Sequence, residues 1–177
     1  MMTHELEKVR ARLQQPAEPP PTFIVEVATK LGLSDGPGLG VMSQLPSVGV
    51  AGAREVRVSA LYAVTGRYSL SQMEHISRGQ LCDPITQEYR LDHSTPSTAF
   101  LVGPHWRVEV WLKPQVTDPV GETVRKAVGD LGLPVPESVR TGTAYQIVGR
   151  IHQAQVDRIA RKLLGNPLIH QVKVVQR

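Results

Sequence analysis

The chain has 177 residues, 41% hydrophobic and 20% charged, with a net charge of +4 and a single cysteine. This is the composition of an ordinary globular protein, and no apolar run approaches the ~20 residues a membrane span needs. Cys82 alone excludes an internal disulfide and fits a reducing, cytoplasmic setting. The charge is uneven: residues 23–92 carry six Lys/Arg against seven Asp/Glu, and residues 106–177 carry eleven against six. A basic half can mark a nucleic-acid surface. Here Arg158, Arg161 and Lys162 fall on a predicted helix among acids typical of a solvated face, and aromatics are only 5% of the chain, so base stacking has little to work with. No nucleic acid and no membrane is the resulting expectation.

Taken in chain order, Met1 to Pro21 is charged and proline-rich, without the apolar core of a secretory leader. Residues 3–14 predict a short helix with Leu6, Val9 and Leu13 on one face, followed by the stiff tether Pro16 to Pro21. From Phe23 the chain enters a β-α-β-α-β plan. Its first helix is weak, because Gly36, Gly38 and Gly40 lower propensity and Pro46 ends or kinks it. A long strand, Glu55 to Thr65, follows, and Ser71 with Glu74 is a candidate capping box for the second helix. His93 to His105 is a linker.

The plan then recurs more clearly. Arg107 to Lys113 alternates Val108, Val110 and Leu112 with polar neighbours, a strand with one buried face. Asp118 and Pro119 start a helix as N-cap and first turn. Val120, Val124, Ala127, Val128 and Leu131 give it an apolar stripe, and Gly132 a left-handed stop. Val139 to Val148 returns to period two, with Val139, Thr141, Thr143, Tyr145 and Ile147 on one face. A helix over Gln153 to Leu164 carries Val156, Ile159, Ala160, Leu163 and Leu164, ends at Gly165-Asn166-Pro167, and leads to a strand from Ile169 to Val175.

The recurrence can be counted. Shifted by 83 positions, residues 23–92 align without a gap on residues 106–175, with 18 identities in 70 pairs; chance would give about four or five. Val25-Glu26-Val27 meets Val108-Glu109-Val110, Asp35 and Gly38 meet Asp118 and Gly121, and Val56-Arg57 meets Val139-Arg140. Two copies are too few for a solenoid and suit a pseudo-twofold pair made covalent. The expected organisation is an N-terminal segment (1–22), module one (23–92), a linker (93–105) and module two (106–177). The expected fold class is α+β, a pseudo-twofold, two-layer α/β sandwich. Helices should lie on one side, and the long second strands should lie near the shared interface, because unpaired edges seek partners.

Catalytic chemistry is not evident. Gly36-Pro37-Gly38-Leu39-Gly40 lacks the Lys-Ser/Thr of a phosphate loop, and the aligned segment keeps only one of its three glycines. Asp35 and Asp118 read as helix caps rather than a catalytic pair. Glu26 and Glu109 alternate with valines and should face solvent or a neighbouring subunit. The six histidines show no metal-ligand spacing, and Cys82 has no nominated base. No catalytic, cofactor or metal residue is therefore assigned. Arg57, Tyr62, Arg140 and Tyr145 are the candidates for an inter-module or partner interface. Two rival readings are a regulatory module binding a small molecule near Gly36 to Gly40, and an RNA-binding protein using the basic half.

The second copy resembles PurS, the small non-catalytic subunit of phosphoribosylformylglycinamidine synthase. The resemblance runs through Val108-Glu109-Val110-Trp111-Leu112-Lys113-Pro114, Asp118-Pro119-Val120-Gly121, Leu131-Gly132 and Val139-Arg140-Thr141-Gly142 to Leu163-Leu164-Gly165-Asn166-Pro167-Leu168-Ile169. The first copy is similar at Lys30, Asp35, Gly38, Val56-Arg57 and Leu81-Cys82-Asp83-Pro84-Ile85. Where the family commonly has Gly-Lys, this chain has Gly142-Thr143 and Ser59-Ala60. The resemblance implies a paired scaffold bridging a PurL-like synthetase and a PurQ-like glutaminase, with further self-association possible. ATP, glutamine and magnesium would then belong to the partners.

Overall fold

The structure, a computed structural model, describes residues 18–91, 100–101 and 103–177. The expected helix over 3–14 and most of the linker lie outside the described residues. Six strands form one antiparallel sheet: β1 (Thr22–Thr29), β2 (Ala53–Thr65), β3 (Gln87–Leu91), β4 (Trp106–Leu112), β5 (Ser138–Gly149) and β6 (His170–Gln176), in the order β3-β1-β2-β5-β4-β6. Between them run α1 (Gly36–Gln44), α2 (Leu70–Ile76), α3 (Pro119–Asp130) and α4 (Gln153–Ile159). A 3-10 turn, Leu45–Val48, follows α1, and π turns, Ser77–Leu81 and Ala160–Leu164, follow α2 and α4.

The 83-residue shift carries α2 onto α4, and each π turn onto the other, with identical bounds. Strand registers repeat as well. Val25 pairs with Tyr62 as Val108 pairs with Tyr145, and Val25 with Leu91 as Val108 with Val174. At the centre β2 and β5 pair from Glu55↔Val148 to Thr65↔Ser138, and Ala60 faces Thr143, its own counterpart. The pseudo-twofold axis therefore passes through that pair.

Cross-strand partners share a face of a sheet, so the register sorts the residues. Val27, Ala60, Thr143 and Val110 form one row of the face that the helices cover. Burial beneath the helices forms two clusters, and each draws on both halves. One joins Val25, Val27, Val64, Met73 and Ile76 to Val124, Val128 and Val139; the other joins Leu45, Val50 and Val56 to Val108, Ile147, Val156 and Ile159. Thus α2 of the first half shares a core with α3 of the second, and α1 shares one with α4. Neither half encloses a core alone.

Local details refine the sequence reading. The capping box of α2 is Ser69 with Gln72, not Ser71 with Glu74. Leu70 is the first helical residue, so the Ser69 hydroxyl oxygen accepts from Gln72 N (3.2 Å) while Gln72 Oε1 accepts from Ser69 N (2.8 Å). Val120, expected on the apolar stripe of α3, is 54% exposed because the first turn projects beyond the core. Gly165 ends the second helix without a left-handed cap: its backbone is extended, and a Cβ there would lie 2.6 Å from Val172 Cγ2. Pro46 does end α1, within the 3-10 turn.

Each first helix is tied to its long strand by one aspartate. Asp35 accepts from Gly38 N (3.0 Å) with one oxygen and from Val58 N (2.8 Å) with the other. Asp118 does the same to Gly121 N (2.8 Å) and Thr141 N (2.6 Å), and also takes the Thr141 hydroxyl. The shared glycines follow from this closeness. A Cβ at Gly38 would stand 2.1 Å from Val56 O, and one at Gly121 2.4 Å from Val139 O. Gly36 and Gly40 have open space around them, which is why the second half dispenses with them.

Candidate functional site

The face of the sheet opposite the helices is the more unusual one. Its rows run Arg90–Glu26–Leu61–Gly142–Trp111, then Glu88–Ala28–Ser59–Ala144–Glu109–Lys173, then Arg57–Gln146–Arg107–Val175. Period two alone would leave these residues in solvent. Instead Glu26 is 0% exposed and Arg107 is 1% exposed.

The two are held by each other. Arg107 Nη1 donates to Glu26 Oε1 (2.8 Å) and Nη2 to Oε2 (3.1 Å), a two-pronged contact that joins β4 to β1 across both central strands. The small side chains of Ser59 and Ala144 lie between them in the rows and leave room for the guanidinium. Ser59 donates to Glu26 Oε1 (2.5 Å), Arg90 donates to Oε2 through Nε (2.9 Å) and Nη2 (2.6 Å), and Arg107 Nε donates to Glu109 (2.8 Å). The Trp111 indole N–H donates to the other Glu109 oxygen (3.2 Å). Buried charge is tolerated when every lobe is bonded in this way.

The expectation that Glu26 and Glu109 face solvent or a neighbouring subunit is thus corrected: Glu26 is buried and Glu109 half-buried, both by contacts within the chain. Burial by itself would raise the Glu26 carboxyl. The hydrogen bond and charge of Arg107, with Ser59 and Arg90, outweigh it and hold the group below the usual carboxylate range. Glu109 is lowered likewise against its own burial, through Arg107 and Trp111.

The four residues singled out from the sequence all sit on the central β2–β5 ladder. Tyr62 lies opposite Thr141, Tyr145 opposite Val58, Arg57 opposite Gln146 and Arg140 opposite Ala63. The tyrosines are on the helix-covered face, one packed against each core cluster, and burial raises both phenols. The arginines are on the other face and each serves its own half: Arg57 Nη2 donates to Thr29 O and Arg140 Nη2 to Leu112 O, both at 2.5 Å. Arg57 Nε is buried without a hydrogen-bond partner among the described residues. Arg107, Glu26 and Arg90 were missed as a cluster, because 81 residues separate the first two and no local pattern links them.

Other candidate chemistry is blunted. At the start of α1 the Asp35 carboxylate occupies the place an anion would take. Burial, and next the charge of Asp83, raise the Cys82 thiol, the reverse of what a reactive thiolate needs. No helix among the described residues is long and apolar enough to cross a membrane.

Fold and site together describe a pair of like α/β modules that share one sheet, two cores and a buried ion cluster. Residues 105–177 match the family model of PurS, phosphoribosylformylglycinamidine (FGAM) synthase. Over this second half the chain is PurS-like. Among solved structures, one that it resembles is PurS of Methanocaldococcus jannaschii, described as one of the subunits of formylglycinamide ribonucleotide amidotransferase in the purine biosynthetic pathway. The match has 27% identity, covers 42% of this chain and 96% of that one, and has a TM-score of 0.34. No curated protein matches the chain.

Proposed function

We propose that this chain is the PurS-type subunit of an FGAM synthase in purine biosynthesis, with its two halves standing in for two separate small subunits. The observation that carries the reading is the family match over residues 105–177, joined to the 83-residue correspondence of elements and registers that extends the same plan through residues 22–91. A duplication followed by fusion accounts for that correspondence. On this reading the chain supplies no reacting group. It holds a PurL-like synthetase and a PurQ-like glutaminase in register, and ATP, glutamine and magnesium are bound by those partners. Fixing two active sites relative to one another raises effective concentration and keeps released ammonia from solvent. The rigidity of a single six-stranded sheet suits such a spacer.

Reconstitution tests the proposal. Mixed with cognate synthetase and glutaminase subunits, the chain should form one complex and restore glutamine-dependent FGAM synthesis. Synthesis from free ammonia should need it far less, since ammonia reaches the synthetase by diffusion. Full glutamine-dependent synthesis in its absence would refute the role.

A further inference from the structure

Against the ion cluster lies a cavity of about 330 Å3 lined by Arg90, Leu101, His105, Arg107, Gln146 and Arg177. Arg90 comes from the first half, Leu101 and His105 from the connection and the rest from the second half, so neither half forms it alone. Arg107 and Gln146 are 1% and 3% exposed; these are fixed walls rather than waving surface side chains.

The lining is rich in donors and poor in acceptors. Gln146 Oε1 accepts from Leu101 N (3.4 Å), which leaves its amide N–H groups for the cavity. Arg107 gives Nε to Glu109 and one N–H of each terminal nitrogen to Glu26, and the second N–H on each remains. Arg90 gives Nε and Nη2 to Glu26, leaving Nη1 without an acceptor among the described residues. Among the described residues the lining holds three guanidiniums, the carboxylates that Arg90 and Arg107 bond are Glu26 and Glu109, and Lys173 acts electrostatically on the second of these. Surplus donors and surplus positive charge in a walled cavity select an oxyanion. The arginine and glutamine donors of the lining stand on β3, β4, β5 and the residue after β6. A phosphate, with oxygens on all sides, can use donors from that many elements, whereas a flat carboxylate can use fewer. A volume near the lower end of ligand pockets, roughly 300–1,000 Å3, suits a small molecule.

We propose that this cavity is a binding site for a small phosphate-bearing anion, inorganic phosphate or a compact phosphomonoester, formed only where the two halves meet. The site is independent of the subunit role proposed above and is tested without partner proteins. Calorimetric titration of the full chain at constant ionic strength would use inorganic phosphate, glycerol 3-phosphate and succinate. Saturable one-site binding of at least one phosphate is expected, and the two arms distinguish the free ion from the monoester. Arg177→Gln, at an exposed position, should weaken that binding about tenfold, the loss of one charge-assisted hydrogen bond. Gln146→Glu, close to isosteric and placed beside Arg107, should abolish it while the thermal midpoint stays near that of the parent chain. The proposal is overturned by no saturable binding up to about 10 mM phosphate, weaker than any affinity worth the name. Affinity unchanged in both variants, or succinate bound as tightly as phosphate, would overturn it equally.

Discussion

The two halves of this molecule use the same anchors and differ in what each contributes to the shared structure. Asp35 and Asp118, Arg57 and Arg140, and Lys30 and Lys113, whose amines reach Pro84 O and Pro167 O, make matching contacts. The first helix is where they part. In the second half α3 runs unbroken from Pro119 to Asp130, whereas in the first α1 stops at Gln44 and passes into a 3-10 turn at Pro46. The open face differs too, since Arg107 has Ile24 as its counterpart. Of two bridges that the pseudo-symmetry would allow, only the one from Arg107 to Glu26 exists. Separate identical subunits would have to carry the same residue at both places; one chain carrying both copies can differ between them.

The largest test of that comparison removes one half. Because each core draws on both, residues 103–177 expressed alone should show no cooperative melt as a monomer. Folded material should be dimeric, with Glu109 of each copy standing where Glu26 stands now and facing the other copy's Arg107. Circular dichroism and sedimentation over a range of concentration measure this. A monomeric fragment that melts cooperatively would break the idea that the halves complete each other.

This is also where sequence reading stopped. Strands announced themselves through period two, helix starts through Asp35, Asp118 and their prolines, and the copy boundary through the repeat. The positions of Gly38 and Gly121 stood out by recurring, and the structure supplies the reason in the Val56 and Val139 carbonyls. Periodicity identifies the apolar side of α2 but not that α3, from the other half, covers it. Alternation likewise placed Glu26 away from the valines correctly, yet it could not see an arginine reaching it from another strand. Burial of that face is set by pairing and by chain connections, which no local window contains.

The next effect in size concerns that arginine. Arg107→Leu leaves Glu26 buried with less compensation, and breaking a buried pair costs about 3–5 kcal/mol. Glu109→Gln, at a half-exposed position, should cost about 1 kcal/mol. Denaturant melts of the two variants give the ratio, and similar losses would mean the bridge between halves matters no more than its rim. The pH dependence carries a sign. The folded Glu26 carboxyl lies below its unfolded value of about 4.3, so its stabilisation is fully present above that pH and is lost as pH falls through the folded value. Glu26→Gln should therefore flatten the acid limb of the stability profile, and an unchanged limb would assign acid sensitivity to other carboxylates.

The smallest effect compares the two capping aspartates. Each satisfies a helix N-terminal N–H and a strand N–H at once, Gly38 with Val58 and Gly121 with Thr141. Replacement by alanine removes a cap, worth about 1 kcal/mol, and leaves a strand donor short of its acceptor, worth about 1–3 kcal/mol when buried. Asp118 also accepts the Thr141 hydroxyl (2.9 Å), whereas the residue aligned with Thr141 is Val58, which has no hydroxyl to offer. On bond count Asp118→Ala should be the costlier by about 1 kcal/mol, one net hydrogen bond. Burial argues the other way, because Asp35 is 8% exposed and Asp118 is the less buried of the two. Thr141→Val separates the terms by giving the second half the first half's residue. In that background Asp118→Ala should cost no more than Asp35→Ala does in the parent chain. If Asp118→Ala remains the costlier there, the difference lies in the longer helix α3 that Asp118 starts, and not in the extra bond.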